Sequence, residues 1–160
     1  MTLHFRRDDL SGPEIRNLID MHLAHMRACS PACSVHAMPV ERLREEDVTF
    51  WSAWEGERLA GCGALKALGS DHGELKSMRT APNFLRQGVG ERMLLHLLQE
   101  ARARSYTRVS LETGRSPPFA AAQALYTKHG FAECGPFADY AEDPFSLFMT
   151  RTLQASPFRK

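Results

Sequence analysis

The stretch Met78-Arg-Thr-Ala-Pro-Asn-Phe-Leu-Arg-Gln-Gly-Val-Gly-Glu-Arg-Met-Leu94 limits the possible folds more than any other part of the chain. An extended run ends at Pro82, a turn follows, and Gly88 and Gly90 open a strongly apolar helix. Val89, Met93, Leu97 and Ala101 fall on one stripe of that helix, with Leu94 and Leu98 beside it. A further strand is expected at 108–112, so residues 74–112 read as strand, helix, strand. Such a unit places its two strands parallel and adjacent. A glycine turn at a helix start also presents unpaired backbone N–H groups, which together with the helix dipole suit phosphate oxygens. The turn lacks the third glycine of a dinucleotide fingerprint and the Gly-Lys-Ser/Thr of a P-loop.

Around this unit the hydrophobic periodicity suggests the order β-α-α-β-β-β-α-β-α-β-β. A first strand is expected at Thr2–Arg6, and a helix from Ser11-Gly12-Pro13 to Ser30-Pro31, with Ile15, Leu18, Ile19, His22 and Met26 on one face. A short helix at 41–46 precedes strands at 48–54 and 59–68, joined by a turn at 55–58. Gly61 and Gly63 inside a strand signal a bulge or a close backbone approach. Strands at 74–80 and 108–112, a helix from Ser116-Pro117 to His129-Gly130, and strands at 131–134 and 146–153 complete the sheet. At 160 residues the chain is expected to form one domain, 1–160. A net charge of +1 gives no case for nucleic-acid or membrane binding. The N-terminus Met-Thr-Leu-His-Phe-Arg-Arg has no apolar signal core, and four cysteines are too few for a disulfide framework, so a cytoplasmic protein is expected.

A second motif narrows the reading. Ala122-Gln-Ala-Leu-Tyr126 and Gly130-Phe131 follow the glycine turn, with Ala124 34 residues after Gly90. Together with Arg86-Gln-Gly-Val-Gly90 they resemble the GCN5-related N-acetyltransferase family, in which a glycine loop binds acetyl-CoA and a later helix ends in Leu-Tyr…Gly-Phe. The resemblance covers residues 48–152 well and the first helices loosely. Gly61–Lys66, Glu74–Thr80, Leu111–Gly114, Cys134–Tyr140 and Ser34–Ala37 are similar to a bacterial subgroup of N-acetyltransferases whose name does not fix an acceptor.

The resemblance implies a mixed α/β fold: a mostly antiparallel sheet, a splayed central parallel pair and helices on both faces. It implies acetyl-CoA as co-substrate and an amine as acceptor, acetylated by direct attack in a ternary complex. Backbone groups of Met78, Arg79 and Thr80 would meet the pantetheine arm, and the Met78 N–H would face the thioester carbonyl. Arg86, Gln87, Gly88, Val89, Gly90 and Glu91 would hold the pyrophosphate. Tyr126 resembles the family's general acid, which protonates the departing thiolate. Glu112 and Glu74 are the candidate bases, with Glu112 preferred. Two departures stand out: Leu85 occupies a loop position usually Arg or Gln, and Phe119 a position often Asn.

Ser34, His36 and Asp139 are candidate acceptor contacts. His22, His25, Cys29, Cys33 and His36 contain helical metal-ligand spacings, but Pro31 interrupts them and no zinc site is expected. Phe50, Trp51 and Trp54 read as core. A homodimer is compatible with the family. The competing reading from another class is a catalytically silent acyl-CoA-binding module, which would keep the glycine loop without depending on Tyr126.

Overall fold

The computed structural model describes residues 1–29 and 38–153. The elements are β1 (His4–Arg7), α1 (Pro13–Cys29), α2 (Val40–Leu43), β2 (Val48–Glu55), β3 (Arg58–Ala67), β4 (His72–Thr80), α3 (Val89–Ala103), β5 (Arg108–Gly114), α4 (Ala120–Lys128), β6 (Ala132–Cys134) and β7 (Ser146–Thr152). They occur in the expected order. Short 3₁₀ turns at Pro82–Phe84 and Pro117–Phe119 lead into α3 and α4. The second accounts for the late start of α4, because the Phe119 N–H bonds the Ser116 carbonyl and the Ala120 N–H the Pro117 carbonyl, a tighter 3₁₀ pattern that gives way to α-helix only at Ala120. Helix α2 is shorter than expected. It stops at Leu43, and the next residue, Arg44, turns its guanidinium to the carbonyls of Asp9 and Leu10.

The seven strands form one sheet in the order β1-β2-β3-β4-β5-β7-β6. Every neighbouring pair is antiparallel except β4 and β5. Side chains alternate across this sheet and divide the core in two. On one face, Trp51, Ala53, Leu65, Leu75, Val109 and Leu111 pack against Met93, Leu94, Leu97, Leu98 and Ala101 of α3, and against Tyr126 of α4. On the other, Phe50, Ala60, Cys62 and Ala64 pack against Ile15, Leu18 and Ile19 of α1 and Leu43 of α2. Phe50, Trp51 and Trp54 are all buried, as the sequence indicates.

Gly61 and Gly63 serve a close approach. A Cβ at Gly63 would lie 2.9 Å from Met78 Sδ and Met93 Cγ, and one at Gly61 would lie 2.9 Å from the Arg79 carbonyl oxygen. The bulge itself is in the partner strand. The β3–β4 register steps from Cys62↔Arg79 to Ala64↔Lys76, and Ser77 takes φ 54°. This extra residue bends β4 and reverses its alternation. Simple alternation would put Met78 on the face of Glu74 and Lys76. Instead Met78 packs on the α3 side.

Candidate active site

Parallel pairing of β4 with β5 covers only His72–Leu75 against Arg108–Leu111. Both strands continue, to Thr80 and to Gly114. Past Leu75 and Leu111 they run without a shared ladder, so the main-chain groups lining the gap have no partner on the opposite strand. Phe119 lies directly on the end of β5, where a Cβ on Gly114 would fall 2.2 Å from its ring. The ring is buried at a position where an asparagine could have offered hydrogen bonds. Gly114→Ala is therefore expected to cost about 1–3 kcal/mol through overpacking, read as a thermal midpoint several degrees lower. An unchanged midpoint would mean that the ring is free to move aside.

The glycine turn sits at the end of β4. Leu85, 58% exposed, and Arg86, Gln87 and Gly88 form its outer surface. Arg86 and Gly88 both take positive φ, 61° and 81°. Helix α3 starts without a side-chain cap, and its first turn closes with the Arg92 N–H on the Gly88 carbonyl. The N–H groups of Val89, Gly90 and Glu91 thus precede the first intrahelical bond. Val89's side chain is buried, while Gly90 stands beside Thr80 Oγ1. The Glu91 carboxylate accepts hydrogen bonds from Lys128 Nζ at 2.6 Å and His129 Nε2 at 2.8 Å, which hold its pKa below the usual carboxylate range. Glu91 therefore ties α3 to the end of α4, and only its N–H is directed by the turn.

On the face opposite α3, the gap is lined by charge. Glu74 is 2% exposed, pairs with Lys76 Nζ at 3.2 Å and accepts a hydrogen bond from the Tyr140 hydroxyl at 2.5 Å. Lys76 also reaches the Tyr140 oxygen, at 2.7 Å. Burial and the Glu74 charge push the Tyr140 phenol far above its usual range. Glu112 is half-buried, next to this trio. Burial pushes its carboxyl up to about 7; a Ser146 hydrogen bond and Lys76 pull it down, while Asp143 and Glu74 push it further up. Ser146 also donates to Asp143 Oδ2 at 2.9 Å, and its single proton serves one carboxylate at a time. Tyr126 is 7% exposed, its ring 5.8 Å from that of Phe131. Burial raises its phenol to about 12, and the Glu112 charge adds to the rise.

Glu74 and Glu112 thus stand near each other on the face opposite α3, and Tyr126 lies on the α3 face, where the Glu112 charge still reaches it, whereas Asp139 joins neither group. Asp139 is exposed on a turn, and its neighbour Tyr140 is the residue that points inward. Ser34 and His36 lie outside the described residues, as does Cys33. His25 comes within 3.6 Å of Cys29 Sγ through Nε2, and no three metal-ligating side chains converge among the described residues. Sequence reading missed Lys76 and Tyr140. Their partners are distant in the chain, so no local spacing announces them. Among the described residues no helix is long and apolar enough to cross a membrane.

Comparison with known proteins agrees with this geometry. Residues 16–131 match the model of the Acetyltransferase (GNAT) family. The chain is 52% identical to the uncharacterized N-acetyltransferase YsnE of Bacillus subtilis, over 94% of this chain and 100% of that protein. It is 55% identical to the uncharacterized N-acetyltransferase YedL of Escherichia coli, over 92% of this chain and 93% of the other. A GNAT family acetyltransferase from Elizabethkingia anophelis, solved with acetyl-CoA bound, superposes with a TM-score of 0.70 at 18% identity, covering 94% of this chain and 98% of its own. With a family model spanning most of its length and relatives above 50% identity, the chain belongs to the acetyltransferase (GNAT) family.

Proposed function

We propose that this acetyltransferase moves the acetyl group of acetyl-CoA to a primary amine by direct attack, with Glu112 as base and Tyr126 as acid, in a single cytoplasmic domain. The observation that supports the proposal is the gap left where the β4–β5 ladder stops at Leu75 and Leu111, with Glu112 the next residue on β5 and its charge reaching the Tyr126 phenol. The unpaired edges of Met78, Arg79 and Thr80 are suited to the pantetheine amides. The N–H groups from Arg86 to Glu91 are suited to the pyrophosphate. Leu85 offers the phosphates nothing, which leaves the side-chain contribution to Arg86.

An amine at neutral pH arrives as an ammonium ion. The Glu112 carboxylate takes its proton, and the free nitrogen attacks the thioester carbon. The Met78 N–H is the donor assigned to the oxygen on which charge develops. As the carbon–sulfur bond breaks, Tyr126 directs its O–H at the departing thiolate. The two groups act on each other: once Glu112 is protonated its charge is gone, and with it one of the two causes that keep the Tyr126 phenol weakly acidic. Glu74, already bonded to Lys76 and Tyr140, is the weaker candidate for base. A homodimer is compatible with this reading, which needs no residue from a second copy.

Thermal unfolding with acetyl-CoA, against ATP and NAD as controls, tests the donor. A ligand present at ~100 times its Kd adds about 2.7 kcal/mol, a shift of several degrees for a chain of this size. A shift specific to acetyl-CoA, followed by CoA release with amines, is the expected result. Binding without CoA release from any amine would favour the silent acyl-CoA-binding module.

A further inference from the structure

The geometry points to an acceptor that carries a carboxylate as well as its amine, with Arg79 holding the carboxylate. This deepens the acetyl-transfer reading and rests on it. Arg79 is half-buried on β4, in register with Cys62, whose side chain belongs to the core on the α1 side. It therefore lies on the same face of the sheet as Lys76 and Glu74, three residues further toward the open end of the gap.

No Asp or Glu pairs with the Arg79 guanidinium among the described residues, whereas Lys76, Arg104, Arg115 and Lys128 each have a carboxylate partner. Residues 30–37, Ser-Pro-Ala-Cys-Ser-Val-His-Ala, contain no acidic side chain that could supply one. A partly buried cation without a counter-ion is costly, and an incoming carboxylate removes that cost through paired N–H donors. The groups opposite Arg79 are His22 and His25, one helical turn apart on α1. Burial first, and the Arg79 charge second, lower the pKa of both imidazoles, His22 to about 4. They are neutral hydrogen-bonding groups at working pH and cannot serve as anions for Arg79.

Two buried polar atoms in this part of the molecule have no partner: His22 Nδ1 and, two residues before Arg79, Ser77 Oγ. His25 also approaches Phe119 at 6.4 Å between ring centroids, and Phe119 lies on Gly114 of β5. His25 thus spans the gap from the Arg79 side to the end of β5. Nearer the paired end, Glu74 and Asp143 raise the pKa of Glu112 while Lys76 lowers it, and the Arg42 charge reaches Tyr140 beside Glu74. The same face therefore presents carboxylates where the amine must lose its proton and, beyond them, a cation with no acidic partner among the described residues, its attachment point roughly three residues or ~10 Å further along the strand and its long side chain free to shorten that span. That polarity complements an amino-acid-like molecule.

The test compares matched acceptors: an amino acid, its carboxamide, and the amine in which hydrogen replaces the carboxylate. CoA release gives kcat/KM for each, and calorimetry gives the acetyl-CoA Kd on the same protein. The expected result is a preference for the acid of about 10–100-fold, the range of a charge-assisted hydrogen-bonded pair. In Arg79→Gln the acid-to-amide ratio falls toward one, mainly through KM, and Arg79→Lys restores part of it. Amides and simple amines acetylated as well as acids by the native protein would overturn the carboxylate proposal and leave acetyl transfer standing. So would a preference that survives in Arg79→Gln. Failure to bind acetyl-CoA, or to acetylate any acceptor, would overturn the acetyl-transfer reading and this proposal with it. If Arg79→Gln does not fold, Arg79→Lys is read in its place: a ratio reduced from native supports the assignment, and one equal to native overturns it.

Discussion

Replacing Tyr126 with Phe is expected to lower kcat by ~100-fold or more, the range for loss of a positioned proton donor, while acetyl-CoA affinity stays within a few-fold of native. The substitution removes one oxygen and keeps the ring that packs at 5.8 Å from Phe131. No hydrogen bond to another described side chain is lost, so the fold should be little disturbed. The chemistry has a condition attached. With its phenol raised to about 12, Tyr126 stays protonated across the working range. An ordinary thiol has a pKa near ~8.5, so full proton transfer to a thiolate in water would run uphill. In the dry gap burial raises the thiol's pKa as well, and an O–H donor stabilises the leaving sulfur before the proton moves. Rapid-quench or stopped-flow detection of CoA release in Tyr126→Phe, with calorimetry for acetyl-CoA binding, separates the two effects. Native kcat in the variant would remove Tyr126 from the chemistry.

Glu112→Gln is expected to be the second large lesion, with kcat/KM down by ~100-fold near neutral pH. In the native protein, activity should rise with pH through about 7 as Glu112 ionises, and that limb should disappear in the variant. The stability effect has the opposite sign. Folding raises this carboxyl from 4.5 to about 7, so between those values the folded state holds a proton that the unfolded state releases. Stability is therefore lost as pH rises from 4.5 to 7, by an amount on the order of 3 kcal/mol. Gln carries no such penalty. Glu112→Gln should melt several degrees above the native protein at pH 8 and close to it at pH 4.5. A variant that is inactive and also less stable at pH 8 would show that Glu112 holds the fold together and is not a strained base.

The order of the eleven helices and strands could be read from the chain because each carries its own local signal. The stripe Val89–Met93–Leu97–Ala101, the glycines at 56, 88 and 130, and the prolines at 13, 82 and 117 each mark an element or its end. The bulge at Ser77 carries no such mark. A serine with φ 54° is sustained by its surroundings, where Cys62 Sγ–H reaches the Ser77 carbonyl at 3.2 Å and Met78 must fit between Gly63, Met93 and Leu97. For that reason simple alternation assigned Met78 to the wrong face. The site was legible where a motif spans few residues, at the glycine turn and at Leu125-Tyr126. It was not legible where charge is assembled across the chain. Tyr140 reaches Glu74 across 66 residues, positioned by Phe137 at 5.1 Å between rings, and sequence reading selected the exposed Asp139 next to it. His22 and His25 have the spacing of metal ligands, and the fold turns them toward Arg79.

The parallel ladder that ends at Leu75 and Leu111 gives the protein a sheet edge in its interior. Proteins ordinarily shield such edges because any extended chain can add to them. If the pantetheine arm of acetyl-CoA lies there, as proposed, its amides would add to that edge, and donor occupancy and sheet completion would be one event. Empty protein should exchange its amide hydrogens fastest along residues 76–80 and 112–114, and acetyl-CoA should slow them together.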